Sequence, residues 1–298
     1  MSREKRRKPW RYYLLLIECL LAAAVGGCHR SLITSTPGCF PGGVLSSTRY
    51  WQRTQGHLYL VGVGPGDPEL ITYKAGRILA ETKIWAVPQA RSTGESSALH
   101  IAGSLIETAG KTIIELGFSM KKVFLEESVD QGAVNAWTEA ARQVSMYLDQ
   151  GKDVAFPTLG DVSLYSTAFY LLPMIQEKCP EVEVTIVPGI TAMSAGAAGT
   201  SLPLALGNDV LCVIPAAFDD ERLEHILHTM DAVVLMKVYR KMNKLVPLLE
   251  QLGLVDKAVL FERIGLPGQH IYTDIREAAA KKLHYFSTIL IRKKQFQV

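Results

Sequence analysis

The chain predicts an α/β protein, with parallel or mixed sheets covered by helices and enough length for two domains. Three observations carry that expectation. Strand-like and helix-like segments alternate along most of the 298 residues, the pattern of helices laid against sheets. Three strands run straight into glycine-containing turns and then into helices, as ligand-binding loops do at the carboxyl edge of open α/β sheets. The length also suffices for two ordinary domains with real cores.

Strands are expected at 58–63, 83–87, 112–116, 154–158, 182–187, 210–214, 232–236, 257–262 and 287–292. The first is apolar and partly β-branched, as suits a strand buried on both faces. Asp67 can cap the helix that follows, with Pro68 at its first position, where the missing N–H costs nothing. Helices are expected at 69–81, 134–150, 223–230 and 244–252, and a small-residue helix at 192–199. Within 244–252, Leu245, Leu248, Leu249 and Leu252 recur at helical spacing and give one apolar face. The polar, proline-containing link at 179–183 places a boundary there, between a first domain of 56–180 and a second of 181–298.

The first turn, Gly62-Val-Gly-Pro-Gly66, departs from the dinucleotide fingerprint G-x-G-x-x-G. Pro65 removes a backbone donor where a pyrophosphate would need one, which disfavours a dinucleotide oxidoreductase. Alone, the turn is equally a tight glycine turn. Two downstream segments add to it: Pro157-Thr-Leu-Gly-Asp-Val-Ser-Leu-Tyr-Ser-Thr167 and Val187-Pro-Gly-Ile-Thr-Ala-Met-Ser-Ala-Gly-Ala-Ala-Gly199.

In this order and spacing the three segments resemble the tetrapyrrole methylase family of S-adenosylmethionine-dependent enzymes, over a span from about Gly56 to the C-terminus. Val233-Val-Leu-Met-Lys-Val-Tyr239, Leu266-Pro-Gly-Gln269 and Tyr285-Phe-Ser-Thr-Ile-Leu290 look most like the C20-methyltransferases acting on precorrin-2 or its cobalt form. The resemblance implies a class III methyltransferase with two α/β domains and an active site in the cleft between them. It further implies a cytoplasmic homodimer in cobalamin synthesis, with S-adenosylmethionine as methyl donor and a tetrapyrrole as acceptor. The cobalt branch is preferred because 158–161 and 165–167 resemble it more.

By that resemblance the donor contacts Pro65, Leu159, Gly160, Asp161, Leu164, Thr191, Ala192, Pro215, Ala216 and Met236. Gly160 suits the place because no side chain blocks backbone approach to a ligand. Against this, Gly160-Asp161 is also an ordinary turn and cap, and a Met ending a buried strand is often plain core. The acceptor, edged with carboxylates, wants cations at the rim and apolar surface under the macrocycle. Lys237 and Arg240 rank highest, being at the carboxyl end of a strand, and Tyr165 is placed to edge the ring. Lys241, Lys244, Arg91, Lys121, Lys122 and Arg263 are weaker candidates, since a single cation is usually a solvated surface charge. Methyl transfer from a sulfonium mainly needs positioning, and no compelling nucleophile–base pair is present. Asp161, Tyr165, Glu262 and Tyr239 are candidates to take the departing proton; none is preferred.

The remaining features bound the function class. Residues 1–55 hold nine Lys/Arg against two Asp/Glu, whereas 56–298 hold 23 against 27. The basic character therefore belongs to the N-terminal extension, and the body has no global charge for nucleic acid. Cys19, Cys28 and Cys39 lie in the extension; Cys179 and Cys212 have no metal-ligand spacing, and no protein metal site is expected. His225 and His228 read as a solvated helix face beside Glu221 and Glu224. Lys5-Arg-Arg-Lys8, the apolar run 12–25 and Cys28 resemble an export or lipoprotein signal. A cytoplasmic methyl donor conflicts with export, so a misplaced upstream start is favoured, with the functional chain beginning near 44–56. Two alternatives stand beside the C20 reading. One is a sibling methylase for another ring position, against which 234–239 and 285–290 argue. The other is a non-catalytic tetrapyrrole-binding protein, marked by binding without donor affinity.

Overall fold

Strand and helix alternate through the described residues as β1 (His57–Gly62), α1 (Tyr73–Glu81), β2 (Ile84–Ala90), α2 (Ser97–Leu105) and β3 (Thr112–Phe118). There follow α3 (Gln131–Leu148), β4 (Val154–Thr158), α4 (Ala168–Lys178), β5 (Glu183–Val187) and α5 (Ala192–Thr200). The chain continues with β6 (Leu211–Pro215), α6 (Glu221–Thr229), β7 (Ala232–Met236) and α7 (Met242–Gln251), then β8 (Ala258–Glu262), β9 (His270–Tyr272) and β10 (Ser287–Arg292). The computed structural model describes residues 55–90, 96–118, 130–215 and 221–294, all within one compact unit, Trp51–Val298. The extension up to residue 54, Ala216, Arg91, Lys121 and Lys122 lie outside the described residues.

Two five-stranded sheets result. The first has the order β3-β2-β4-β1-β5 and is parallel throughout. The second has the order β6-β7-β10-β8-β9, parallel only between β6 and β7. In the first sheet β1 leads to β2 on one side and β4 leads to β5 on the other. Neighbouring strands thus send their chains in opposite directions, which opens a crevice at their carboxyl ends.

Both faces of the central strands are covered, which explains their unbroken apolar sequences. Leu58 and Leu60 join the cluster with Phe156, Trp137, Val144 and Leu171, while Val61 and Val63 join the opposite cluster with Ile78, Leu79, Trp85 and Ile101. In the second sheet Val233, Leu235, Ile289 and Ile291 face one cluster; Val234 and Leu290 face the other with Phe261 and Ile264. Helix α3 begins where the Asp130 side chain accepts the Ala133 N–H. It buries Ala133, Trp137, Ala140, Ala141, Val144 and Leu148 along one stripe, and Trp137 stacks on Tyr170 at 4.7 Å.

The expected helix at 69–81 is broken. Asp67 caps only a single 3-10 turn, Pro68–Leu70; Ile71 is buried, and Thr72 turns extended to cap α1 through the Ala75 N–H. An apolar side chain pulled into the core outweighs helix continuity there. The apolar face of α7 also shifts, to Met242, Leu245, Val246 and Leu249, with Leu248 and Leu252 at its margin. The first sheet runs past residue 180, because β5 pairs with β1 from His57↔Glu183 to Val61↔Val187. Helix α2 and the short strand β9 carry sequence signals too weak to have been expected.

Candidate functional site: three glycine turns and a Lys–Tyr cluster

The loops after β1, β4 and β5 meet where the first sheet reverses direction. Gly64 N–H donates to the Gly160 carbonyl at 3.2 Å and Gly160 N–H to the Gly64 carbonyl at 2.7 Å, an antiparallel bridge between two turns. Gly189 joins them through its N–H, 2.8 Å from Asp161 Oδ2. A Cβ on Gly189 would overlap the Gly160 carbonyl oxygen, so the three backbones pass in contact. Gly160 has φ +72° and nothing within 4 Å of where a Cβ would stand. Its α-carbon therefore faces open space, with Pro65 buried in the turn alongside.

Asp161 ties this bundle together. Burial pushes its pKa up, but the Ser163 hydroxyl and the N–H groups of Gly189, Ser163 and Val162 outweigh burial and hold it below the usual carboxylate range. Its Oδ1 receives both Ser163 donors and its Oδ2 receives Gly189 N–H. Asp161 is thus a charged clamp with its acceptors engaged, which argues against a role as proton acceptor.

The remaining expected residues fall into two groups. Thr191 caps α5, its Oγ1 accepting Ser194 N–H at 3.2 Å, and Ala192 and Met236 both pack on the cluster containing Phe261 and Leu290. Met236 is flanked in the sheet by Pro215 on one side and Thr288 on the other. Leu159 packs instead with Val61, Val63 and Val187, as does Leu266; Leu164 is half-buried in its loop. The turn at 62–67 also abuts the turn at 263–269: a Cβ on Gly66 would lie 2.6 Å from the Gly265 carbonyl carbon.

Past Met236 the chain takes the left-handed conformation at Lys237, φ 62°. Tyr165 does the same with φ 54°, and such non-glycine positions are uncommon and strained. The two meet: Lys237 Nζ lies 5.5 Å from the centre of the Tyr165 ring and 5.8 Å from that of Tyr285. Burial lowers the Lys237 pKa, while burial and then Tyr239 push the Tyr285 phenol up to about 12. Tyr165 Oη donates to the Val213 carbonyl at 3.2 Å, tying the loop after β4 to β6. Its pKa is raised by burial and by Cys212.

Arg240 is exposed at the margin of this cluster, its guanidinium over the Tyr239 ring at 5.1 Å. Arg263 donates instead to the Pro267 carbonyl within its own turn. Glu262 accepts the His284 N–H. His225 and His228 are exposed, with His228 Nε2 3.9 Å from Glu224. Tyr285 was absent from the expected site residues. It opens the segment 285–290 that carries the resemblance, two residues before β10, but only its packing against Lys237 and Tyr239 gives it a place in the site.

The family described as Tetrapyrrole (Corrin/Porphyrin) Methylases matches residues 57–279, about three quarters of the chain. The chain belongs to the tetrapyrrole methylase family. This methylase is 36% identical over 240 residues to the cobalt-precorrin-2 C(20)-methyltransferase of Salmonella typhimurium, an overlap of 80% of this chain and 97% of that protein. It is 33% identical over 242 residues to the precorrin-2 C(20)-methyltransferase of Sinorhizobium sp, covering 79% and 95%. Its fold is similar to that of the Thermus thermophilus uroporphyrin-III C-methyl transferase solved with S-adenyl homocysteine. There the TM-score is 0.54 at 19% identity, over 79% of this methylase and 97% of that chain.

Proposed function

We propose that the protein transfers the methyl group of S-adenosylmethionine to C20 of cobalt-factor II/cobalt-precorrin-2, or of metal-free precorrin-2, in cobalamin biosynthesis. The observation that carries this reading is the 36% identity to a cobalt-precorrin-2 C(20)-methyltransferase across 97% of that protein. The open face of Gly160, between buried Pro65 and half-buried Leu159, fits a donor that needs close backbone approach rather than an ion pair. When bound, the donor supplies an already activated methyl group on a sulfonium.

The chain's own residues then have positioning work. The Gly64–Gly160 bridge fixes the two turns against each other, and Asp161 fixes the third. Pro65, Leu159, Gly160, Leu164, Thr191, Ala192, Pro215, Ala216 and Met236 would border the donor. Lys237, Arg240 and Tyr165 would border the acceptor, in a cleft between the two sheets. A homodimer in the cytoplasm completes the proposal; among the described residues, no helix is long and apolar enough to cross a membrane.

The test is to incubate the protein with S-adenosylmethionine and either precorrin-2 or cobalt-factor II. Mass spectrometry is expected to show one methyl gained on one of them, and NMR to place it at C20. Methylation at another ring carbon, or donor binding with no transfer to either acceptor, would refute the substrate assignment.

A further inference from the structure

Lys237 is a largely desolvated cation with no counter-ion among the described residues. Its Nζ sits between the Tyr165 and Tyr285 rings at 5.5 and 5.8 Å, and among the described residues no carboxylate pairs with it. The ionisable groups that face it are phenols: Tyr165 from the loop after β4, Tyr170 from α4, Tyr239 beyond β7 and Tyr285 before β10. Arg240 lies against Tyr239 and Cys212 beside Tyr165, so among the described residues no carboxylate adds negative charge nearby. Aromatic faces attract a cation, but they replace only part of the hydration that burial removes.

The backbone enforces this placement. Lys237 and Tyr165 both hold left-handed dihedrals, which costs free energy for side-chain-bearing residues. Tyr165 is further fixed by its hydroxyl bond to Val213, and Tyr285 packs edge-on against Tyr239 at 5.3 Å. Tyr165 is 45% exposed, so the cluster is reachable from solvent. A fixed, reachable cation with aromatic walls and no carboxylate partner among the described residues is built to receive an anion attached to a flat apolar body.

We propose that Lys237, walled by Tyr165 and Tyr285, is a carboxylate receptor that anchors one peripheral carboxylate of the tetrapyrrole acceptor, with Tyr285 as a further positioning residue. This rests on the functional reading above and deepens it. Bound carboxylate raises the pKa of Lys237 from its lowered free value, so binding in the alkaline range takes up a proton. Acceptor affinity therefore falls as pH rises through the free-state pKa of Lys237.

The experiment is an absorbance titration of the full chain with cobalt-factor II across pH, beside calorimetric titration with S-adenosylmethionine. Lys237→Met is expected to weaken cobalt-factor II binding roughly ten- to a hundredfold and to abolish the alkaline loss seen in the wild type. Lys237→Arg should recover part of the affinity with no alkaline loss in the same range, since guanidinium stays charged. Tyr285→Phe, which keeps the ring, should bind nearly as the wild type, and Tyr285→Leu should not. S-adenosylmethionine affinity should be unchanged throughout. Wild-type-like cobalt-factor II binding by folded Lys237→Met would overturn the receptor. So would a selective loss of S-adenosylmethionine affinity, which would assign the carboxylate to the donor. A wild type that binds cobalt-factor II through Lys237 yet methylates another carbon refutes the C20 reading and leaves the receptor standing. A wild type that binds no cobalt-factor II refutes both.

Discussion

At Gly189 and Gly160 two glycines are required for different reasons, and the difference is measurable. Gly189 has no room, since a Cβ would meet the Gly160 carbonyl oxygen; Gly189→Ala is expected to lower stability by about 1–3 kcal/mol in urea unfolding. Gly160 has room but a left-handed φ of +72°, so Gly160→Ala should cost about 1–2 kcal/mol of stability. Because its methyl would project into the open space, it should also weaken S-adenosylmethionine binding in calorimetry. Asp161 gives a pH signature. Its pKa is depressed in the folded state, so its stabilisation is full above the unfolded carboxylate value of about 3.9 and is lost as pH falls through the folded value. Acid unfolding of Asp161→Asn is expected to be shallower below about pH 4 than that of the wild type. Equal slopes would remove Asp161 from the clamp.

At the scale of elements, α5 lies on the second sheet because Gly196 lets the helix settle onto the Phe261 ring, where a Cβ would collide with the aromatic edge. Gly196→Ala should destabilise by about 1–3 kcal/mol. Phe261→Leu in the same chain should recover part of it, giving a coupling of about 0.5–3 kcal/mol in a double-mutant cycle. Additive effects would mean that helix and strand do not share this contact. Of the caps, only Asp67 was read from the sequence, and the others became clear from the structure although each is a local contact. Asp67, Thr72, Asp130 and Thr191 all accept a backbone N–H two or three residues on. The break at Ile71 was not legible, since it depends on a core that the neighbouring strands and α2 build. The longer β2 and β3 reflect the same limit: strand ends are set by partners, as Pro88↔Leu116 and Ala90↔Phe118 show.

For the whole molecule, the compact unit begins at Trp51, and Gln55 already bonds the Asp149 side chain and the Glu181 N–H. A chain starting at Trp51 is therefore expected to melt as the full chain does and to bind S-adenosylmethionine equally. One starting at His57 should melt lower, having lost Gln55 and the Gly56 N–H bond to Leu148; equal melting of the two short chains would refute this. The sequence by itself determined the α/β class, every strand of the first sheet, the family and the three glycine turns. Those properties are written in side-chain period, chain-reversing glycines and short motifs, all readable within a few residues. Tertiary structure decided which turns touch, that β5 completes the first sheet, that Asp161 is a clamp, and that Tyr285 joins Tyr165 around Lys237. Each of those depends on residues from tens to more than a hundred positions apart, brought together only by the order in which the crossovers lay the strands side by side.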